Sequence, residues 1–214
     1  MPQMGRDHGA DNARIVLGLL ESVERDGAQS QRKLASDLGI ALGLVNAYLK
    51  RCVKKGLLKV GQAPARRYAY YLTPHGFAEK SRLTVEYLSA SFSFFRLARE
   101  DCSSILAAAR AQGWNRVLLA GVSDLAEIAT ICALEHGMTI VAVVDPASTR
   151  TRFVGSPVVA SFDGVGAAFD TVLVTDLQAT RKLVEAITAQ VGAGRILVPA
   201  MLGIRVDGSA ERAS

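Results

Sequence analysis

The sequence predicts an α+β amino-terminal third, a long connecting helix and a small parallel α/β domain. Three observations predict it. Up to residue 75 three helical apolar patterns are followed by two short alternating runs. Between Gly76 and Gly113 there is neither glycine nor proline, and beyond Asn115 short unbroken apolar runs alternate with helical segments. The 214 residues suffice for two small domains. Half of them are apolar and 21% are charged, so real cores are available and wholesale disorder is excluded.

Residues 1–11 lack periodicity and are expected to form a disordered arm. From Ala13 to Arg25, Ile15, Val16, Leu19, Leu20 and Val23 recur at three- and four-residue intervals, which marks one face of a helix that Gly27 ends. Ser30, a good N-cap, opens a second helix through Leu34, Ala35 and Leu38 that stops at Gly39. The third runs from near Leu42 to Lys55, with Val45, Leu49 and Val53 inward and Gly56 closing it. The period then changes to two. Leu57–Val60 and Tyr68–Leu72 read as the strands of a β-hairpin around the polar, basic segment Gly61–Arg67.

Thr73 and Pro74 supply a cap and a first helical residue. The stretch that follows permits one helix of about 36 residues, ~54 Å long. Along it Leu88, Phe92, Phe95, Cys102 and Leu106 form a three/four seam, interrupted by Arg99. The seam is wider than the short helices can cover, so the expected cover is the same helix of a second chain, giving a homodimer through residues 76–112.

From Arg116 the reading is strand Arg116–Gly121, helix Ser123–His136, strand Thr139–Asp145, strand Val158-Val159, a short helix near Ser161–Phe169, strand Asp170–Val174, helix Leu177–Val191 and strand Arg195–Met201. Unbroken apolar runs suit strands buried on both faces of a parallel sheet. Their alternation with helices is βαβ repetition, hence a small doubly wound, Rossmann-like domain. The expected boundaries are 12–75, 76–112 and 113–206, with a frayed polar tail from Asp207.

No apolar run approaches the ~18 residues of a membrane span. The polar start lacks the apolar stretch and cleavage site of a signal peptide, so a cytoplasmic location and no membrane partner are expected. Cys52, Cys102 and Cys132 have neither disulfide nor metal-ligand spacing and read as buried, reduced thiols.

The charge is unevenly placed. Residues 1–80 carry 13 Lys/Arg against 7 Asp/Glu, whereas residues 113–214 carry 8 against 10. A polyanion is therefore the expected partner of the first third, because neutralised phosphates release condensed counterions. Helix, helix-turn-helix and hairpin in that order make a winged helix-turn-helix, whose third helix enters the major groove of double-stranded DNA while the wing touches the backbone. Ala41, Leu42, Gly43, Asn46 and Ala47 should then face base edges, with Asn46 able to make a bidentate contact to adenine. Ser30 and Gln31 at the second helix start, Lys50, Arg51 and Lys54 further along the third, and Arg66 and Arg67 on the wing complete the expected DNA-binding set.

The stretch Lys33–Leu58, with its Leu42-Gly-Leu-Val-Asn46 turn, and the wing exit Leu72-Thr-Pro-His-Gly76 within Tyr71–Thr84 occur together. In these residues the chain resembles the MarR-like winged-helix regulators associated with exopolysaccharide gene clusters, over roughly residues 12–90. The resemblance implies a bacterial transcriptional regulator that dimerises. Those shorter regulators stop after the long helix, so the α/β domain is an addition.

Doubly wound sheets bind ligands beyond the carboxyl ends of their strands, near the point where strand order reverses. Gly121, Val122 and Ser123, then Asp145 and Pro146, then Thr175 and Asp176 occupy such strand ends. Against the dinucleotide fingerprint, Gly121-Val-Ser-Asp-Leu-Ala126 keeps the first glycine and a closing alanine but has Ser123 in place of the second glycine. Asp145 stands where a ribose-binding carboxylate would. Asp124 and Glu127 have capping-box spacing. The region also resembles, more loosely, the small Rossmann-like domain preceding the acyltransferase in sugar-modifying enzymes and the nucleotide-binding domains of sugar epimerases and CoA-binding proteins, at Gly121, Asp145 and Asp176.

His8, His75 and His136 have no triad partners placed beside them, and the chain has no Walker A sequence, nucleophile elbow or metal-ligand cluster. The expected function is a dimeric, non-enzymatic, DNA-binding regulator whose α/β domain senses a nucleotide, nucleotide-sugar or dinucleotide effector. An α/β domain that only oligomerises, and a nucleotide-sugar-related enzyme fused to a DNA-binding domain, are the alternatives. A dimer would place two recognition helices about 34 Å apart in successive major grooves.

Overall fold

Helical periodicity sets the first element, α1 (Met4–Arg25), which buries Leu19, Leu20 and Val23. It begins at Met4, so residues 4–11 of the expected arm are helical. An absent apolar period did not mark helix there, since a helix end needs no buried face. The computed structural model describes residues 4–63, 67–178 and 181–204. They fall into two units, Met1–Phe92 and Ser93–Ser214.

In the first unit Ser30 caps α2 (Gln31–Leu38), its Oγ accepting the Lys33 N–H at 3.2 Å, and Gly39 ends the helix at φ 64°. α3 (Leu42–Lys54) buries Val45, Leu49 and Cys52, while Val53, expected inward, is only half-buried. β1 (Leu58–Ala63) and β2 (Arg67–Leu72) pair antiparallel, with Val60 opposite Tyr70 and Gln62 opposite Tyr68. The hairpin is anchored where the Tyr70 N–H donates to the Gly27 carbonyl at 2.8 Å. A Cβ on Gly27 would lie 2.0 Å from the Tyr70 oxygen, so this approach requires glycine.

α4 (Pro74–Ala111) is one helix of 38 residues. Thr73 starts it, its Oγ1 accepting the Gly76 N–H at 3.0 Å and donating to the Gly56 carbonyl at 2.6 Å. The seam read along this helix is divided. Leu83 is buried in the first unit's core, and Cys102 and Leu106 are fully buried in the second unit's core with Ala98 and Ala109. Only the stretch before Arg99 is open: Val85, Leu88, Phe92 and Phe95 are 64%, 46%, 60% and 41% exposed. The expectation that a second copy covers the whole seam is thus corrected for its distal half.

The described residues of the second unit form a six-stranded sheet in the order β5-β6-β4-β3-β7-β8, from β3 (Arg116–Ala120), β4 (Thr139–Val144), β5 (Arg152–Phe153), β6 (Ser156–Val159), β7 (Thr171–Val174) and β8 (Ile196–Leu197). All pairings are parallel except β5 with β6. Alternation along the strands makes two cores. Val117, Leu119, Val143 and Leu173 pack with residues of α4 and of α5 (Asp124–Glu135), whereas Leu118, Ala120, Ala142, Val144, Val172 and Val174 pack with Val184 and Ile187 of α6 (Arg181–Val191).

Three sequence expectations give way here, and one hairpin is added. The helix near Ser161–Phe169 is a 3₁₀ turn, Phe162–Gly164, followed by irregular chain. The last strand shrinks to Ile196–Leu197 between 3₁₀ turns at Ala193–Arg195 and Ala200–Leu202. Residues 177–178, expected to begin a helix, lie in a turn. The β5–β6 hairpin was not foreseen, because it turns through Val154 at φ 45° and Gly155 at φ 83°, and valine is a poor signal for a positive φ.

All three cysteines are free and buried, and burial pushes the Cys102 thiol up to about 12, with Cys132 and Asp101 adding to it. Among the described residues no helix is long and apolar enough to cross a membrane.

Asp170 fixes the start of β3: its Oδ2 accepts the Asn115 and Arg116 N–H groups at 2.8 and 2.9 Å. Those bonds hold its carboxyl below the usual carboxylate range. A depressed folded pKa contributes stability above the unfolded value, and loses it as pH falls through the folded one. Asp170→Asn should therefore lower the melting temperature at neutral pH, with the deficit shrinking as acid protonates the wild-type carboxyl. A deficit constant down to pH 2 would contradict this.

Candidate nucleic-acid interface

α3 has to bury Val45, Leu49 and Cys52, and that choice decides what it shows to solvent. At 3.6 residues per turn, Gly43, Asn46, Ala47, Lys50 and Lys54 fall on the outward arc, and all five are exposed. Leu42, Asn46 and Lys50 rise along one side of a groove of about 770 Å³. The amino-terminal end of α2, with Ser30, Gln31 and Arg32, and the hairpin face, with Val60, Tyr68 and Tyr70, complete it. Gln31 Nε2 donates to the Tyr70 hydroxyl at 3.2 Å, which ties helix start to wing. Ala41 takes the N-cap position of α3 without a side-chain cap, leaving the first helical N–H groups without a side-chain acceptor there.

Of the residues singled out for DNA, the structure thus gathers Ser30, Gln31, Leu42, Asn46 and Lys50 on one groove, with Ala41, Gly43 and Lys54 exposed on the same helix. Arg51 does not join them. It lies about 140° round the helix from Asn46, stacks over the Tyr48 ring at 5.3 Å and donates to Asn12 Oδ1 at 3.4 Å. Arg66 lies outside the described residues, and Arg67 is described as the β2 residue paired with Ala63. Sequence reading missed Tyr68 (64% exposed), Val60 (45% exposed) and Arg32. The signal for Tyr68 was available: counting by two from the buried Tyr70 puts it on the same face of the hairpin.

A second cavity, of about 280 Å³, opens at the carboxyl ends of β3, β4 and β6 on the α6 side of the sheet. Gly121, Asp145, Pro146 and Asp176 line it, joined by Asp163, Phe162, Leu183 and Ile187. Gly121 sits at φ 109°, and a Cβ there would lie 2.7 Å from Asp176 backbone and side-chain atoms. Val122, Ser123 and Thr175 do not line the cavity; they knit its floor. Val122 N–H donates to Asp145 Oδ2 at 2.9 Å, Thr175 Oγ1 donates to the Gly121 carbonyl at 2.7 Å, and Ser123 Oγ donates to the Thr175 carbonyl at 2.5 Å. Ser123 also caps α5, accepting the Ala126 N–H at 3.2 Å. The capping box read at Asp124 and Glu127 is thereby corrected: both lie in the first turn, where they favour the helix dipole, and the cap is one residue earlier.

Residues 13–59 match the family model of the winged helix-turn-helix DNA-binding domain. No curated protein matches the chain. A structure of the PcaV transcriptional regulator from Streptomyces coelicolor with its natural ligand is similar over 38% of this chain and 59% of that one, at 22% identity and a TM-score of 0.36. A second structure of that regulator is similar over 38% and 62%, at 21% identity and a TM-score of 0.36. The chain therefore spans about three fifths of the length of these solved proteins.

Proposed function

We propose that this chain is a bacterial, cytoplasmic transcriptional regulator that binds duplex DNA through α3 and the β1–β2 wing. The observation that carries the reading is the single groove shared by Ser30, Gln31, Leu42, Asn46, Lys50 and Tyr68, in the most basic part of the chain. The winged-helix match over residues 13–59 supports it. Asn46 would meet a base edge, and Lys50 and Lys54 phosphates. Arg51, held by Tyr48 and Asn12, has no part in this contact set. On the resemblance given above, the controlled genes are those of cell-surface polysaccharide.

The regulator acts as a homodimer through α4. Val85, Leu88, Phe92 and Phe95 follow the three/four spacing of a coiled-coil seam and are exposed, which supports pairing along this half of the helix. We read the α/β unit as Rossmann-like; its parallel strands running third, second, first, fourth, fifth across the sheet, with the 280 Å³ cavity beside the reversal, support that reading. We read that cavity as an effector site. Val122 and Ala126 N–H groups are engaged by Asp145 and Ser123, and Asp124 and Glu127 stand in the first turn of α5, whereas Asp145, Asp163 and Asp176 offer acceptors. Of a nucleotide, nucleotide-sugar or dinucleotide, the site favours the hydroxyl-bearing sugar or base over the phosphates.

Three measurements check this. Lys50→Ala should reduce the slope of log affinity against log salt by about 1 for any duplex, while Arg51→Ala leaves it unchanged; equal effects would remove the groove from the argument. Phe92→Asp with Phe95→Asp should halve the sedimenting mass, and an unchanged mass would exclude the α4 seam. In a thermal-shift comparison, nucleosides or free sugars should raise the melting temperature of the full chain more than pyrophosphate does, and the reverse order would contradict the effector assignment.

A further inference from the structure

We propose that the recognition surface reads thymine methyl groups, so that the half-sites it selects are rich in A·T pairs. The inference rests on the duplex reading above and concerns what that duplex must contain. Over the first two turns of α3 the exposed residues are Leu42, Gly43, Leu44, Asn46 and Ala47, preceded by Ala41. Only Asn46 among them has a hydrogen-bonding side chain, and its amide matches the N6/N7 edge of adenine. No arginine or lysine stands in those turns to take the O6/N7 edge of guanine; the first cation is Lys50. Apolar side chains fill the space instead. Leu42 is 43% exposed on the α3 wall, and across the groove Val60 and Tyr68 are 45% and 64% exposed on the wing. The base-edge group that gains from an apolar neighbour is the thymine C5-methyl.

Charge says that the occupant is a polyanion rather than another protein face. Arg32, Lys33, Lys50, Lys54 and Lys59 are exposed around the groove and on the elements that form it.

Gly43 adds an independent observation. It is helical and exposed, and a Cβ built on it meets nothing within 4 Å. Alanine would fit and is the better helix former. Folding alone gives no reason for glycine at this position, whereas a base edge approaching the helix backbone from outside gains the volume of the missing methyl.

The test uses the full chain and a random duplex library. Selection should enrich A·T-rich half-sites, and replacing single thymines by deoxyuracil, which keeps every hydrogen-bonding edge and removes only the methyl, should weaken binding about fourfold at contacted positions. Leu42→Ser, a change at an exposed residue, should abolish the deoxyuracil penalty at one position. Gly43→Ala should raise the melting temperature and weaken duplex binding, a divergence that a purely structural glycine would not show. Enrichment of G·C-rich sites through Lys50, or indifference to deoxyuracil, overturns the proposal and leaves the duplex reading standing. No enriched duplex removes both.

Discussion

Burial of one face of α3 is the constraint on which the amino-terminal unit depends. Val45, Leu49 and Cys52 are at most 1% exposed and lie within a core shared with Leu19, Leu20 and Leu34. Removing a side chain such as Leu49 from a core of this kind costs about 2–5 kcal/mol. Such a cost fixes the rotation of the helix about its axis. Once that is fixed, the positions of Asn46 and Lys50 on the groove side and of Arg51 on the opposite flank follow from helical geometry. The wing is placed by the same economy: Tyr70 is buried in this core, its N–H is bonded to Gly27 and its hydroxyl to Gln31, so the strand that carries Tyr68 is registered against the start of α2.

In the second unit, strand alternation does the corresponding work. Successive residues of β3 go to opposite sides of the sheet, which obliges the chain to cover both, with α4 and α5 on one face and α6 on the other. The loops at the carboxyl ends are then drawn together around Gly121, where side chains of Asp145, Ser123 and Thr175 satisfy backbone groups. In this loop the Val122 and Ala126 N–H groups are taken by the Asp145 and Ser123 side chains, and Asp124 and Glu127 bring negative charge to the start of α5, where it opposes an anion. That separates this site from a phosphate-binding glycine-rich turn.

Much of this architecture was legible in the sequence, and the exceptions share a cause. The helices of the first unit were readable because caps and apolar period agree: Ser30 and Gly39 bracket α2, and Gly56 follows α3. The failures occur where spacing can be satisfied in more than one way. Phe162, Val165 and Phe169 repeat at three and four residues, yet they pack on the second unit's core from a loop, with Phe162 and Phe169 rings 6.4 Å apart, because Gly164 and Gly166 weaken a helix. Cys102 and Leu106 continue the stripe of Leu88 and Phe92, but a one-dimensional pattern does not say which partner covers each half. Tyr68 was left out of the expected set, and Arg51 was included with it, for a related reason: composition marks a basic or aromatic residue, whereas only the buried neighbour reveals which way it turns.

The central claim is that duplex DNA lies across the groove between α3 and the wing. Amide hydrogen exchange of the full chain with and without a bound duplex tests it most directly. Protection gained over Ser30–Arg32, Leu42–Lys50 and the β1–β2 hairpin is the predicted result. Protection confined to the α/β unit, or to α4 alone, would contradict it.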